Sequence, residues 1–110
     1  MRENIKIEVT QKTIAIDFDG VIHKYSKAWH DGTIYDEPVE GARDAIRLIK
    51  NKGFKVVVFT ARPDLPGIRE WLKKHNIKVD DVTNTKPGAV MYIDDRAVRF
   101  THWRDMLNYL

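Results

Sequence analysis

The chain has 110 residues, a net charge of +3, 43% hydrophobic and 32% charged residues, and no cysteine. Disulfides, thiolate catalysis and sulfur-ligated metals are therefore excluded, and no apolar run is long enough to span a bilayer, so a membrane role is not expected. The length suits a single domain over residues 1–110 with one site, and the polar N-terminus, lacking an apolar signal core, points to the cytoplasm.

In chain order, Ile5, Ile7 and Val9 alternate with Lys6 and Glu8, the pattern of a half-buried strand or extended arm. Residues 13–18 (TIAIDF) are nearly continuous apolar sequence, as expected of a strand buried on both faces. From Gly20 to Glu37 periodicity is lost and His, Tyr, Trp, Lys and Asp dominate, which predicts a loop with a small flap. Pro38 opens a helix whose apolar stripe is Ala42, Ala45, Ile46 and Ile49, stopped at Asn51-Lys52-Gly53. Lys55–Thr60 (KVVVFT) is a second buried strand. A second helix runs from about Asp64 to His75, with Ile68, Trp71 and Leu72 on one face. Residues 77–83 carry a short third strand and Ala89–Ile93 (AVMYI) a fourth. Val98-Arg99-Phe100 is a candidate fifth, and Phe100, Trp103, Leu107 and Leu110 fall at spacings that suit a closing helix. Strands alternating with helices predict an α/β fold: a three-layer, Rossmann-like arrangement with a central, mostly parallel sheet flanked by helices.

In open parallel sheets ligands bind at the carboxyl ends of the strands. The first strand delivers Asp17 and Asp19 there, the second Thr60 followed by Ala61-Arg62, and the fourth Asp94 and Asp95, with Lys86 just before it. Two unit charges ~4 Å apart at an effective dielectric of ~20 repel by roughly 4 kcal/mol, a large share of the ~5–15 kcal/mol that keeps a domain folded. Such a set calls for a cation. With only oxygen ligands on offer, the hard ion Mg²⁺ is the natural choice, because it uses one or two carboxylates and recruits phosphate oxygens.

These residues resemble, in order, the four sequence motifs of the haloacid dehalogenase superfamily: Asp17-Phe18-Asp19-Gly20-Val21, Thr60, Lys86 and Asp94-Asp95. The match spans Ile14 to Asp95. Val21 stands where many members have Thr, and it removes no catalytic group. The resemblance implies that Asp17 is the nucleophile forming an aspartyl-phosphate, Asp19 the general acid and base, Thr60 a phosphate hydrogen-bond donor and Lys86 the neutralising cation. It further implies Mg²⁺ held by Asp17, Asp94 and the backbone carbonyl of Asp19, with Asp95 a ligand directly or through water. Only 40 residues separate Asp19 from Thr60, and the interval to Lys86 is shorter, so neither holds a cap domain. The expected protein is a capless phosphatase, open to substrate unless a loop or a second copy in a homo-oligomer covers the site. Ile93–Arg96 (IDDR) also resembles the phosphatase part of polynucleotide kinase-phosphatases.

The loop after the nucleophile strand, with His23, Lys24, Tyr25 and Trp29, reads either as a specificity element or as a flap packed over the sheet edge. Arg62 reads either as a substrate-binding residue, with His23 and Lys24, or as the partner of a nearby acid. A phosphosugar or nucleotide is the first expectation for substrate, and a phosphorylated nucleic-acid end the second. A non-catalytic metal- and phosphate-binding module is the alternative from another class.

Overall fold

The three apolar segments that read as buried strands pair side by side. In a computed structural model, which describes residues 11–110, β1 (Thr13–Asp17) lies between β2 (Lys55–Phe59) and β4 (Met91–Ile93), and β3 (Asp81–Thr83) pairs with the far side of β2. The order is β3-β2-β1-β4 and every pairing is parallel. Ile14, Ala15 and Ile16 of β1 and Val56, Val57 and Val58 of β2 are all buried, which is why these central strands lack polar alternation.

Helices α1 (Ala42–Asn51) and α2 (Leu65–Lys74) connect these strands and flank the sheet, giving a Rossmann-like α/β fold. One apolar cluster joins Ile46 of α1 and Ile68, Trp71 and Leu72 of α2 to Ile14, Ile16, Val56, Val58 and Val82. Both helices end the same way. After α1, the Gly53 N–H donates to the Lys50 carbonyl and the Phe54 N–H to that of Ile49, with Gly53 at φ 95°. After α2, Asn76 at φ 60° and Ile77 repeat the pattern onto Lys73 and Leu72. Each left-handed residue satisfies carbonyls that the helix leaves open and returns the chain to the sheet.

Several expectations are corrected. The first helix starts at Ala42, not Pro38, because Pro38 bridges back to His23 and the Val39 N–H donates to the Ile22 carbonyl; Gly41, at φ 85°, then redirects the chain. The third and fourth strands shrink to three residues each. No strand forms at 98–100, and the closing helix is only α3 (Trp103–Leu107), which buries nothing; Trp103 is exposed rather than part of a core stripe. The alternating segment Ile5–Val9 lies outside the described residues. Among the described residues no helix is long and apolar enough to cross a membrane.

Candidate active site

Strand register assembles the acidic group. Ile16 pairs with Ile93, so the next residues on each strand, Asp17 and Asp94, end side by side, with Asp95 one step further. Oxygens of Asp17, Asp94 and Asp95 lie within 4.8 Å of one another, a group that could hold a metal ion. Asp17 is pushed up to about 6, first by burial, then by Asp94, with Asp95 and Asp19 adding; only the Phe18 N–H, 2.9 Å from Oδ1, works the other way. Carboxylates crowded so that one is held this far from its ordinary range are a donor set short of a positive charge. The fit to a hard, oxygen-seeking cation therefore comes from the site's own chemistry.

Gly20 makes that crowding sterically feasible. It sits at φ 86°, and a Cβ there would fall 2.2 Å from Oδ2 of Asp95. Gly20→Ala is expected to cost about 1–3 kcal/mol through backbone strain, and to turn the Asp95 carboxylate out of the group. Thermal unfolding together with Mg²⁺ titration would check this, and both stability and metal affinity should fall.

Asp19 lives in a different environment, although it projects from the same strand end. Its Oδ2 accepts from Arg62 Nε at 2.7 Å; its Oδ1 accepts from Arg62 Nη2 at 3.1 Å and from His23 Nδ1 at 2.8 Å. The tautomer of His23 follows from its other nitrogen. Nε2 accepts the Asp36 N–H at 3.0 Å, so it carries no proton, and Nδ1 must be the donor to Asp19. The imidazole is fully buried, stacked on Phe18 and set edge-on to Trp71.

Arg62 ties three parts of the site together. Only 5% exposed, its guanidinium grips Asp19, donates from Nη1 to the Gly32 carbonyl at 2.8 Å, and lies beneath the rings of Tyr25 and Trp29. Its backbone N–H donates to Thr60 Oγ1 at 3.0 Å, so the Thr60 hydroxyl keeps its own proton free for an incoming oxygen. Lys86 is exposed, with Nζ 4.6 Å from the centroid of the Tyr92 ring, and pairs with none of the three carboxylates. Lys24 is exposed and borders Asp36.

The structure thus brings Asp17, Asp94 and Asp95 together and links Asp19, His23, Thr60 and Arg62 into an adjoining network. Sequence reasoning missed Asp36. Its carboxylate latches the loop by accepting from the Ser26 hydroxyl and N–H, which with the Glu37 N–H lowers it to about 2, while its backbone N–H fixes His23. Nothing in the local pattern marks a residue whose partners lie 10 and 13 positions away.

The architecture and the site define an α/β protein of Rossmann-like type with a metal-competent acidic group at the carboxyl end of its parallel sheet. Among solved structures, the chain is similar to a structural-genomics target from Vibrio cholerae, at 27% identity and a TM-score of 0.59, covering 89% of this chain and 95% of that one. A conserved protein from Bacteroides thetaiotaomicron aligns at 22% identity and a TM-score of 0.61, over 88% of this chain and 87% of its own. A chain of the Pnkp1/Rnl/Hen1 complex shares the fold at 15% identity and a TM-score of 0.58, over 84% of this chain but 32% of its own length. No protein-family model and no curated protein matches the sequence.

Proposed function

We propose that the chain is a Mg²⁺-dependent phosphomonoester hydrolase of the haloacid dehalogenase type, acting through an aspartyl-phosphate on a phosphosugar or nucleotide. The observation that carries this reading is the contrast between two carboxylates two residues apart. Asp17 faces other carboxylates and Asp19 faces N–H donors. A cation on the acidic group would leave Asp17 ionised, as a nucleophile must be, while Asp19 stands outside that group and can carry a proton separately, the division of labour that phosphoryl transfer through a covalent intermediate requires.

Oδ1 of Asp17 is engaged by the Phe18 N–H, which leaves Oδ2 to attack phosphorus as the bond to the leaving oxygen breaks. Asp19, entering the cycle with a proton taken from solvent on Oδ2, gives that oxygen its proton. Oδ1 of Asp19 already accepts two N–H groups and Oδ2 one, so the proton moves on and off Oδ2. Water then attacks phosphorus and yields a proton to Asp19, and the bond to Asp17 breaks, releasing inorganic phosphate. The Thr60 hydroxyl orients a phosphoryl oxygen, and Lys86 swings from Tyr92 to neutralise the transferred group. Asp17, Asp94 and the Asp19 carbonyl, with Asp95 directly or through water, would hold Mg²⁺, which would supply charge neutralisation for the phosphoryl group.

The test is phosphate release with and without Mg²⁺ from aryl phosphate, sugar phosphates, nucleotides and 3′- or 5′-phosphorylated oligonucleotides. Asp19→Asn is expected to slow turnover of an alkyl phosphate by about 10²–10⁴-fold. It should slow an aryl phosphate much less, because a good leaving group needs little protonation. Equal activity of wild type and Asp19→Asn on both would remove the acid–base role. Metal binding without release from any member would favour the non-catalytic module. A phosphorylated nucleic-acid end is the second substrate reading, supported by the capless site, by the likeness of Ile93–Arg96 to polynucleotide kinase-phosphatases and by the fold shared with a chain of the Pnkp1/Rnl/Hen1 complex. Preferential release from oligonucleotides would select it.

A further inference from the structure

Away from the carboxylates, a cavity of about 430 Å³ opens between α1 and the segment that joins α2 to β3, lined by Arg43, Arg47, Lys50, Asn51, Asn76 and Lys78. Four cations and two amides line it, with no carboxylate among them. Arg43, Arg47 and Lys50 stand at i, i+4 and i+7 and so share one face of α1. Asn76 holds the left-handed turn that ends α2, which brings its side chain and that of Lys78 to the opposite wall.

The partners of these cations show which are available. Lys50 pairs with Asp80 at 3.0 Å, and its place in the last turn of α1 is sufficient reason for a cation there. Arg43 and Arg47 share a single acid, Asp44, at 3.7 and 3.8 Å, beyond hydrogen-bond reach, and both are more than half exposed. Lys78 has no ion pair among the described residues. Two guanidinium forks and an ammonium therefore converge on one cavity with their donors unspent. Guanidinium forks match phosphate oxygens bidentately, and side-chain amides add neutral donors.

We propose that this cavity is an anion-binding site for a ligand carrying two or more phosphate groups, separate from the reaction centre and independent of the proposed hydrolysis. Its span favours a chain of phosphates over a single ion, since Arg43 and Lys78 stand on opposite walls. Lys50 contacts Asp80, whose carboxylate caps the Val56 N–H at the start of β2, so the cavity reaches toward the amino ends of the strands, away from Asp17. A ligand held here does not present its bound phosphates to the nucleophile. A free polyphosphate and a nucleic-acid backbone offer the same chemistry, and the two can be told apart directly.

The experiment measures binding of inorganic tripolyphosphate, by calorimetry, and of a single-stranded oligonucleotide without terminal phosphates, by fluorescence anisotropy. Both are done without Mg²⁺, where the carboxylate group repels anions. Wild type is compared with Arg43→Gln/Arg47→Gln and, separately, with Lys78→Gln. The double variant is expected to bind at least one probe about tenfold or more weaker, and with an oligonucleotide its log–log salt slope should fall by about 1.4. Thermal unfolding and aryl phosphate hydrolysis are expected to be unchanged. Tripolyphosphate as the better probe identifies a polyphosphorylated small ligand, and the oligonucleotide identifies a nucleic-acid backbone. Equal affinity of wild type and both variants for each probe, or no binding at all, overturns the proposal.

Discussion

If the proposed hydrolysis is right, Asp17→Asn is expected to abolish phosphate release and, in the metal-free protein, to raise stability. Loss of a covalent nucleophile is expected to cost at least roughly 10⁴-fold in turnover. The stability gain has the opposite sign because the carboxylate is held up to about 6 by burial and by Asp94. A carboxyl group whose folded value exceeds its unfolded one favours folding while protonated, so its contribution is full below about pH 4 and is lost as pH rises toward and through 6. At about 1.4 kcal/mol per tenfold change the full effect would be about 3 kcal/mol, and solvent screening at a half-exposed group lowers it to about 1–2 kcal/mol. Melting temperature measured from pH 4 to 8 without metal should fall for wild type across that window and run flatter for Asp17→Asn. Mg²⁺ should restore the wild-type loss. A wild-type curve that rises through this window would mean that Asp17 is not destabilised by its neighbours.

The largest effect on a residue outside the carboxylate group is expected at Arg62. Removing one partner of a buried ion pair leaves an uncompensated charge and typically costs about 3–5 kcal/mol. Arg62→Ala would leave Asp19 with the His23 N–H alone and release the Gly32 carbonyl and the faces of Tyr25 and Trp29 together. Arg62→Lys keeps the charge but cannot reach both Asp19 oxygens and Gly32 at once. It should retain the fold while kcat on alkyl phosphates falls by about 10²-fold, with KM changing less. Hydrogen exchange across residues 24–36 should rise in both variants. If Arg62→Lys instead raised KM alone, the guanidinium would be contacting substrate rather than aligning Asp19.

Buried strands and their terminal acids were readable in the sequence because burial on two faces leaves unbroken apolar runs, and charges that interrupt such runs stand out. Asp17 follows from that pattern; Asp94 and Asp95 also end an apolar run, but Met91 and Tyr92 of β4 are exposed, so there the run does not come from burial on two faces. The start of α1 did not, since Pro38 serves a β-bridge as readily as a helix entry and only the return of Val39 to Ile22 decides between them. Trp71 and Trp103 look alike at helical spacing, yet one is 7% and the other 72% exposed; α3 is one short helix with no facing element among the described residues that would bury its stripe. The pairing of Arg62 with Asp19 spans 43 positions, and short-range periodicity carries no information at that distance. His23 shows the limit most clearly. Its place in a basic, aromatic loop suggested a ligand contact, whereas the ring is fully buried with Nδ1 on Asp19 and Nε2 on the Asp36 N–H, both nitrogens spent within the protein.

Two of the three crowded acids follow β4, a strand of three residues that, among the described residues, pairs with β1 alone. Electrostatic pressure is thus applied to a strand that, among the described residues, is held by a single neighbour. Without a cation, the amides of Met91–Ile93 should exchange with solvent before those of β2, as a small unit that opens while the remaining strands stay paired. An ion bridging Asp17 to Asp94 would act as a fastener between those strands, making metal occupancy legible in the exchange rates of backbone groups that never touch it.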